Sequence, residues 1–114
     1  MAAQILPPVQ LTGTTALTAI GGEVPADKVR TVWLRACNIT AGADAYADVF
    51  VNDTDTPANS GYRAKNLPVP YLQPDSAPDL EWGFPMTEGQ ELQVRASANN
   101  AIAFSLSRIE DDAA

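Results

Sequence analysis

The stretch QELQVRASANNAIAFSLS, residues 90–107, is the part of the sequence that decides the fold. Apolar and polar residues alternate in it on both sides of Ala98-Asn99-Asn100, which is typical of two strands that each bury one face. Asparagine tolerates the left-handed backbone of tight turns, so the pattern predicts a β-hairpin that closes a sheet. The two strands would place their apolar residues on one shared face: Leu92, Val94, Ala96, Ile102, Phe104 and Leu106.

Upstream of this hairpin the chain contains further short strand candidates and no convincing amphipathic helix. The longest candidate, residues 29–39, is apolar on both faces near Trp33, which predicts a central strand with Trp33 in the core. Residues 45–51 are expected to return after a small-residue turn and pair with that strand. Gly21-Gly22 predicts a turn that ends a shorter candidate, residues 14–20.

Prolines mark the middle of the chain. Because proline removes a hydrogen-bond donor from a sheet, residues 62–85 can supply only short or edge strands. Seven or eight short strands separated by turns predict an all-β fold, a single small antiparallel β-sandwich that is either jelly-roll or immunoglobulin-like. We expect an extended N-terminal arm or edge strand over residues 1–12, the sandwich over residues 13–110, and a frayed acidic tail over residues 111–114.

The charge of the chain excludes some partners. The net charge is −7, and the seven cationic residues do not form a run. Binding to phosphate backbones or to anionic membranes needs clustered Lys or Arg, so neither partner is expected. No apolar stretch approaches the ~20 residues that span a bilayer. Charged residues are only 18% of the chain, which suits a protein partly covered in an assembly.

The residue types also argue against most catalysis. The chain has no histidine, which excludes Ser-His and Cys-His nucleophiles and most zinc and copper sites. Cys37 lies in an apolar strand candidate, where we expect a buried, inert thiol. No catalytic residue, metal or cofactor is predicted. Two less favoured alternatives are a calcium site at Asp53 and Asp55, and glycan hydrolysis by Asp79 and Glu81.

Two segments indicate surfaces for protein contact. Aromatic residues in the proline-marked region are typical interface anchors. The N-terminal segment, extended by Pro7-Pro8, suits the addition of a strand to a neighbour's sheet edge. The predicted contact residues are Ile5, Leu6, Tyr71, Trp82 and Phe84.

Two stretches resemble a known group of proteins. CNITAGADAYADVFVND, residues 37–53, and EGQELQVRASANNAIAFSLSRIE, residues 88–110, are similar to the small β-sandwich virion proteins of tailed bacteriophages. The shared features are a strand ending in Asn-x-Thr, a small-residue turn with a returning strand, and a final strand ending in Ile-Glu. The chain departs from that pattern over residues 66–85, which are longer and richer in proline.

The resemblance implies a non-enzymatic structural role. It suggests an outer capsid decoration (cement) protein that braces neighbouring copies of the major capsid protein, commonly as a homotrimer. Such a protein is made in the host cytoplasm and incorporated at the virion surface. A tail or baseplate accessory protein, or a receptor- or glycan-binding module, is the alternative.

Overall fold

The computed structural model describes residues 3–40, 44–52, 62–69 and 80–113, and for residues 52, 62–66 and 80–82 it describes the backbone alone. These residues form β-strands and contain no helix. The strands are β1 (Gln4–Thr12), β2 (Thr18–Glu23), β3 (Lys28–Asn38), β4 (Ala45–Asn52), β5 (Tyr62–Val69), β6 (Leu80–Thr87), β7 (Glu91–Ala96) and β8 (Ile102–Asp112).

The strands form two antiparallel sheets of four strands each. Sheet A has the order β1-β8-β3-β6 and sheet B the order β2-β7-β4-β5. β1 pairs with β8, β2 with β7, β3 with β6 and β4 with β5, so the chain runs as one long hairpin that has been rolled up. This is the strand order of an eight-stranded jelly roll, which decides between the two sandwich topologies that the sequence leaves open.

The hydrophobic core lies between the two sheets. In β3, residues at even positions are buried, from Arg30 through Leu34 to Asn38, while those at odd positions face outward. The same alternation in β7 buries Leu92, Val94 and Ala96. Burying side chains such as Leu34 and Leu92 contributes about 1.5–3 kcal/mol each to the free energy of unfolding. In β3 and β7, period-two alternation therefore marks the face that packs inward.

The predicted final hairpin is wrong in its pairing, although both of its strands exist. β7 belongs to sheet B and pairs with β2 and β4, whereas β8 belongs to sheet A and pairs with β1 and β3. The apolar residues of β7 and β8 therefore face one core from opposite sheets instead of sharing one face. The alternation gives the buried face of a strand, but it does not identify the neighbouring strand.

The expected pairing of residues 45–51 with the preceding strand is also wrong. β4 lies in sheet B between β7 and β5, while β3 lies in sheet A. The central position predicted for β3 is confirmed, since β3 lies between β8 and β6. Trp33, however, is not in the core: it occupies an odd position of β3 and is half-buried on the outer face of sheet A.

The proline-bearing strands lie at sheet edges, as predicted. Pro68 lies in β5, the edge strand of sheet B, and Pro85 lies in β6, an edge strand of sheet A. The N-terminal segment contains Pro7 and Pro8 and forms β1, the other edge of sheet A. It pairs with β8 of its own chain, and the register shifts between Leu6 and Val9, where the two prolines lie.

Gly21-Gly22 does not form the predicted turn. β2 continues through both glycines, and its register with β7 shifts between Ala19 and Glu23, as in a β-bulge. Both glycines have positive φ, 86° at Gly21 and 76° at Gly22. The two glycines therefore mark a bulge within β2, and the predicted turn at this point is wrong.

The acidic C-terminal residues are not frayed as expected. β8 continues to Asp112, which lies opposite Lys28 on β3. Lys28 Nζ lies 2.5 Å from Asp112 Oδ1, and the Ala113 amide donates to the Asp27 carbonyl at 2.9 Å. The ion pair between Lys28 and Asp112 and the backbone hydrogen bonds between β3 and β8 hold this acidic segment in the sheet. Composition alone had assigned the same segment to a frayed tail.

Candidate functional site

An apolar depression lies on the outer face of sheet A, beside the edge strand β1. We call it the Ile5 depression; its volume is about 270 Å³. Ile5 is 79% exposed and lies directly opposite Ile109 on β8. An exposed isoleucine beside other apolar residues is a typical feature of a contact surface. The residues that line the depression are Ile5, Leu6, Pro8, Trp33, Ser107, Arg108 and Ile109.

Trp33 lines this depression, and both of its cross-strand neighbours are small residues. Trp33 lies between Ser107 on β8 and Gly83 on β6. A Cβ atom at Gly83 would lie 2.9 Å from Trp33 Cδ1, closer than real Cβ contacts come, and 3.0 Å from Nε1, tighter than most of them. Gly83 therefore makes room for the indole against β6, and a larger residue there would displace it.

The predicted contact residues do not all lie together. Ile5 and the partly buried Leu6 line the Ile5 depression. Phe84 lies in β6, where it is partly buried and packs against the core. Trp82 lies opposite Leu34 in the β3–β6 ladder, and only its backbone is described. Tyr71 lies outside the described residues.

Sequence reasoning missed Trp33 and Ile109 as surface residues. A signal for Trp33 was present, since it shares the odd positions of its strand with Thr31 and Arg35, which are polar. Ile109 shares its face of β8 with Ser105 and Ser107, which gave a comparable signal. In both cases the polar residues two positions away mark an outward row.

Two arginines of sheet A, Arg30 and Arg108, bind backbone carbonyl oxygens of β2 in sheet B at one end of the sandwich. Arg30 is 5% exposed, and its Nη1 donates to the carbonyl oxygens of Gly21 and Gly22 at 3.1 Å each. Arg108 donates from Nη1 to Gly21 O at 2.8 Å and from Nη2 to Pro7 O at 2.7 Å. Burial, together with the charge of Arg30, lowers the pKa of Arg108. These contacts tie β1 and β2 to β3 and β8, which indicates a structural role for both arginines.

The cysteine and the acidic residues that the sequence offered as candidates do not form a catalytic or metal-binding group among the described residues. Cys37 is not fully buried as expected; it is half-buried on the outer face of sheet A, where its Sγ lies 3.9 Å from the Asn38 carbonyl oxygen. Asp53, Asp55 and Asp79 lie outside the described residues, and the backbone of Glu81 pairs with that of Arg35.

No group of three or more His, Cys, Asp or Glu that could hold a metal ion occurs in the described ranges. Over the same ranges the structure has no helix long and apolar enough to cross a membrane.

Comparison with family models, with curated proteins and with solved structures found no match for this chain.

Proposed function

We propose that this protein is a non-enzymatic structural protein of a tailed-bacteriophage virion, specifically an outer capsid decoration protein that braces neighbouring capsid subunits. The observation that carries the proposal is the Ile5 depression, where exposed apolar side chains lie along an edge strand of sheet A. Packed DNA pushes the subunits of a capsid apart. A small domain that buries apolar surface across their seams opposes that force.

Three further features support this role. Eight-stranded jelly rolls recur in viral capsid proteins, although a fold by itself does not assign a function. The net charge of −7 disfavours capture of the protein by DNA during assembly. The resemblance of residues 37–53 and 88–110 to phage virion proteins suggests a homotrimer on the capsid surface.

The test combines the mass of the purified protein in solution with co-sedimentation on empty capsids of the phage that encodes it. We expect a trimer by light scattering, and co-sedimentation that is lost in the Ile5→Asp variant. Because Ile5 is 79% exposed, this variant should remain folded. Ala19→Asp, at an exposed position of β2 in sheet B, is the matched control and should bind like the parent.

Two results would contradict the proposal. A monomer that does not co-sediment with capsids would favour the tail or baseplate alternative. Capsid binding that is equal in the parent, Ile5→Asp and Ala19→Asp would show that the Ile5 depression is not the contact surface.

A further inference from the structure

A second depression lies on the outer face of sheet B, where β4 begins and β7 ends. We call it the Tyr46 depression. Its volume is about 320 Å³, within the lower range of small-molecule sites. The residues that line it are Thr15, Tyr46, Asp48, Arg95, Ala96 and Ser97.

Two neighbouring cross-strand pairs form the floor of this depression. Asp48 lies opposite Arg95, whose Nε donates to Asp48 Oδ2 at 2.8 Å and whose Nη2 donates to the same oxygen. Two residues along the ladder, the Tyr46 amide donates to Ser97 Oγ at 3.0 Å, and the Ser97 amide donates to the Tyr46 carbonyl at 2.9 Å. An aromatic side chain thus stands beside an oriented ion pair and a hydroxyl group.

The exposure of these side chains suits a ligand that lies across them. Tyr46 is 44% exposed, although Ala45 and Ala47 on either side of it are buried. The Arg95 side chain is 32% exposed, while that of Asp48 is 10% exposed. The carboxylate is therefore fixed below the surface, and the guanidinium and the ring are reachable from solvent.

The wall of the depression is held by hydrogen bonds between connecting segments. The Thr15 amide donates to Asn99 Oδ1 at 3.0 Å, and the Ala96 amide donates to the Thr14 carbonyl at 2.8 Å. These bonds join the β1–β2 connection to β7 and to the β7–β8 connection. The site is consequently preformed, which lowers the entropic cost of binding a ligand.

The chemistry of the depression matches a saccharide. A sugar ring presents an apolar C–H face to an aromatic ring, and its hydroxyl groups donate and accept hydrogen bonds. Arg95, held in place by Asp48, offers guanidinium donors to these hydroxyl groups, and charge-assisted hydrogen bonds are the stronger ones. Because the pair is neutral as a unit, it does not favour an anion over a neutral polyhydroxylated ligand.

We propose that the Tyr46 depression binds a saccharide, with the sugar ring on Tyr46 and its hydroxyl groups hydrogen-bonded to the Asp48–Arg95 pair and Ser97. This inference goes beyond the proposed capsid role and does not depend on it. The Ile5 depression lies on sheet A and the Tyr46 depression on sheet B, so one molecule can use both.

The test is an array of bacterial mono- and oligosaccharides, followed by titration of each bound sugar. We expect Tyr46→Ala to weaken binding by about tenfold or more, as loss of an aromatic anchor does. Tyr46→Phe keeps the ring and should retain most of the affinity. Thr31→Ala, at an exposed position on sheet A, is the matched control and should not change it.

The proposal is overturned if the array shows no bound sugar, or if Tyr46→Ala binds as tightly as the parent. Co-sedimentation of Tyr46→Ala with capsids separates the two proposals. Retained capsid binding with lost sugar binding supports a saccharide site that is independent of the capsid contact. Loss of both in a folded variant would place Tyr46 in the capsid interface and overturn the saccharide site.

Discussion

Arg30 on β3 and Glu110 on β8 lie directly opposite each other inside one end of the sandwich, with Arg30 Nη2 2.8 Å and Nε 3.2 Å from Glu110 Oε2. The Arg30 side chain is 5% exposed and that of Glu110 is 13% exposed. The same guanidinium bonds to the carbonyl oxygens of Gly21 and Gly22 in the other sheet. One buried cation therefore joins three strands from two sheets.

Arg30→Met should destabilise the protein by about 3 kcal/mol, because it removes the hydrogen-bonded counter-charge of Glu110, whose side chain is 13% exposed. The loss should lie at the low end for a buried pair, because the charges of Lys28 and Arg108 still act on Glu110. Urea denaturation monitored by circular dichroism measures the free energy of unfolding. The double variant Arg30→Met/Glu110→Met removes both charges and should recover part of the loss. A single variant within about 0.5 kcal/mol of the parent would contradict the role of this pair.

Gly21 and Gly22 form a matched pair for a test of the bulge in β2. Both have positive φ, but a Cβ atom at Gly21 would lie 2.6 Å from Leu106 Cδ2, whereas a Cβ atom at Gly22 would meet no described atom within 4 Å. Gly22→Ala should cost about 1–2 kcal/mol from backbone strain alone. Gly21→Ala should cost about 1–3 kcal/mol more, because the methyl group overpacks the core against Leu106. Thermal and urea denaturation measure both, and equal losses would contradict the close approach to Leu106.

Lys28 should make stability depend on pH in the alkaline range. Its hydrogen bond with Asp112 raises the pKa of Lys28 above the ordinary value of 10.5 and outweighs the lowering by burial, which is the second-largest effect. The charges of Asp112, Glu110 and Asp111 raise the pKa further. Because the folded pKa is raised, the stabilisation is complete below the unfolded pKa and is lost as pH rises through the folded pKa.

The measurement is the difference in free energy of unfolding between the parent and Lys28→Met from about pH 8 to about pH 12. The parent should be more stable at the lower end, and the difference should disappear at the upper end. Asp112→Asn is the matched control and should lose the same alkaline dependence. A difference that stays constant over this range would contradict the assignment.

The strand order can be checked by NMR without any variant. Backbone NOEs should join Leu106 on β8 to Leu34 on β3 and to Val9 on β1. They should likewise join Val94 on β7 to Val49 on β4 and to Thr18 on β2. A ladder of NOEs between β7 and β8 would instead indicate the hairpin that the sequence predicts.

Much of the local structure follows from local rules. The alternation in residues 90–107 correctly assigns two strands and the buried face of each. The prolines Pro68 and Pro85 correctly assign edge strands, because a proline has no amide proton to donate to a second neighbour. The errors at Gly21-Gly22 and at the C-terminal acidic residues arose where a bulge and a cross-strand ion pair overrode composition.

The candidate sites were less accessible to sequence reasoning. Ile5 and Leu6 were predicted as contact residues, and they line one depression. The pairing of Asp48 with Arg95 could not be predicted, because the two residues are far apart in sequence and belong to strands that were assigned other partners. Tyr46 and Ser97 come together for the same reason.

The sequence by itself determined the all-β class, the buried faces of the two strands in residues 90–107 and the absence of histidine chemistry, since these depend on residue type and on a period of two along the chain. Only the tertiary structure decided which strands pair, that β7 and β8 lie in opposite sheets, and which outward side chains meet on each sheet. Alternation is a property of one strand, whereas partner choice depends on how both sheets bury one common core. Strand pairing therefore depends on contacts between residues that are far apart in the sequence.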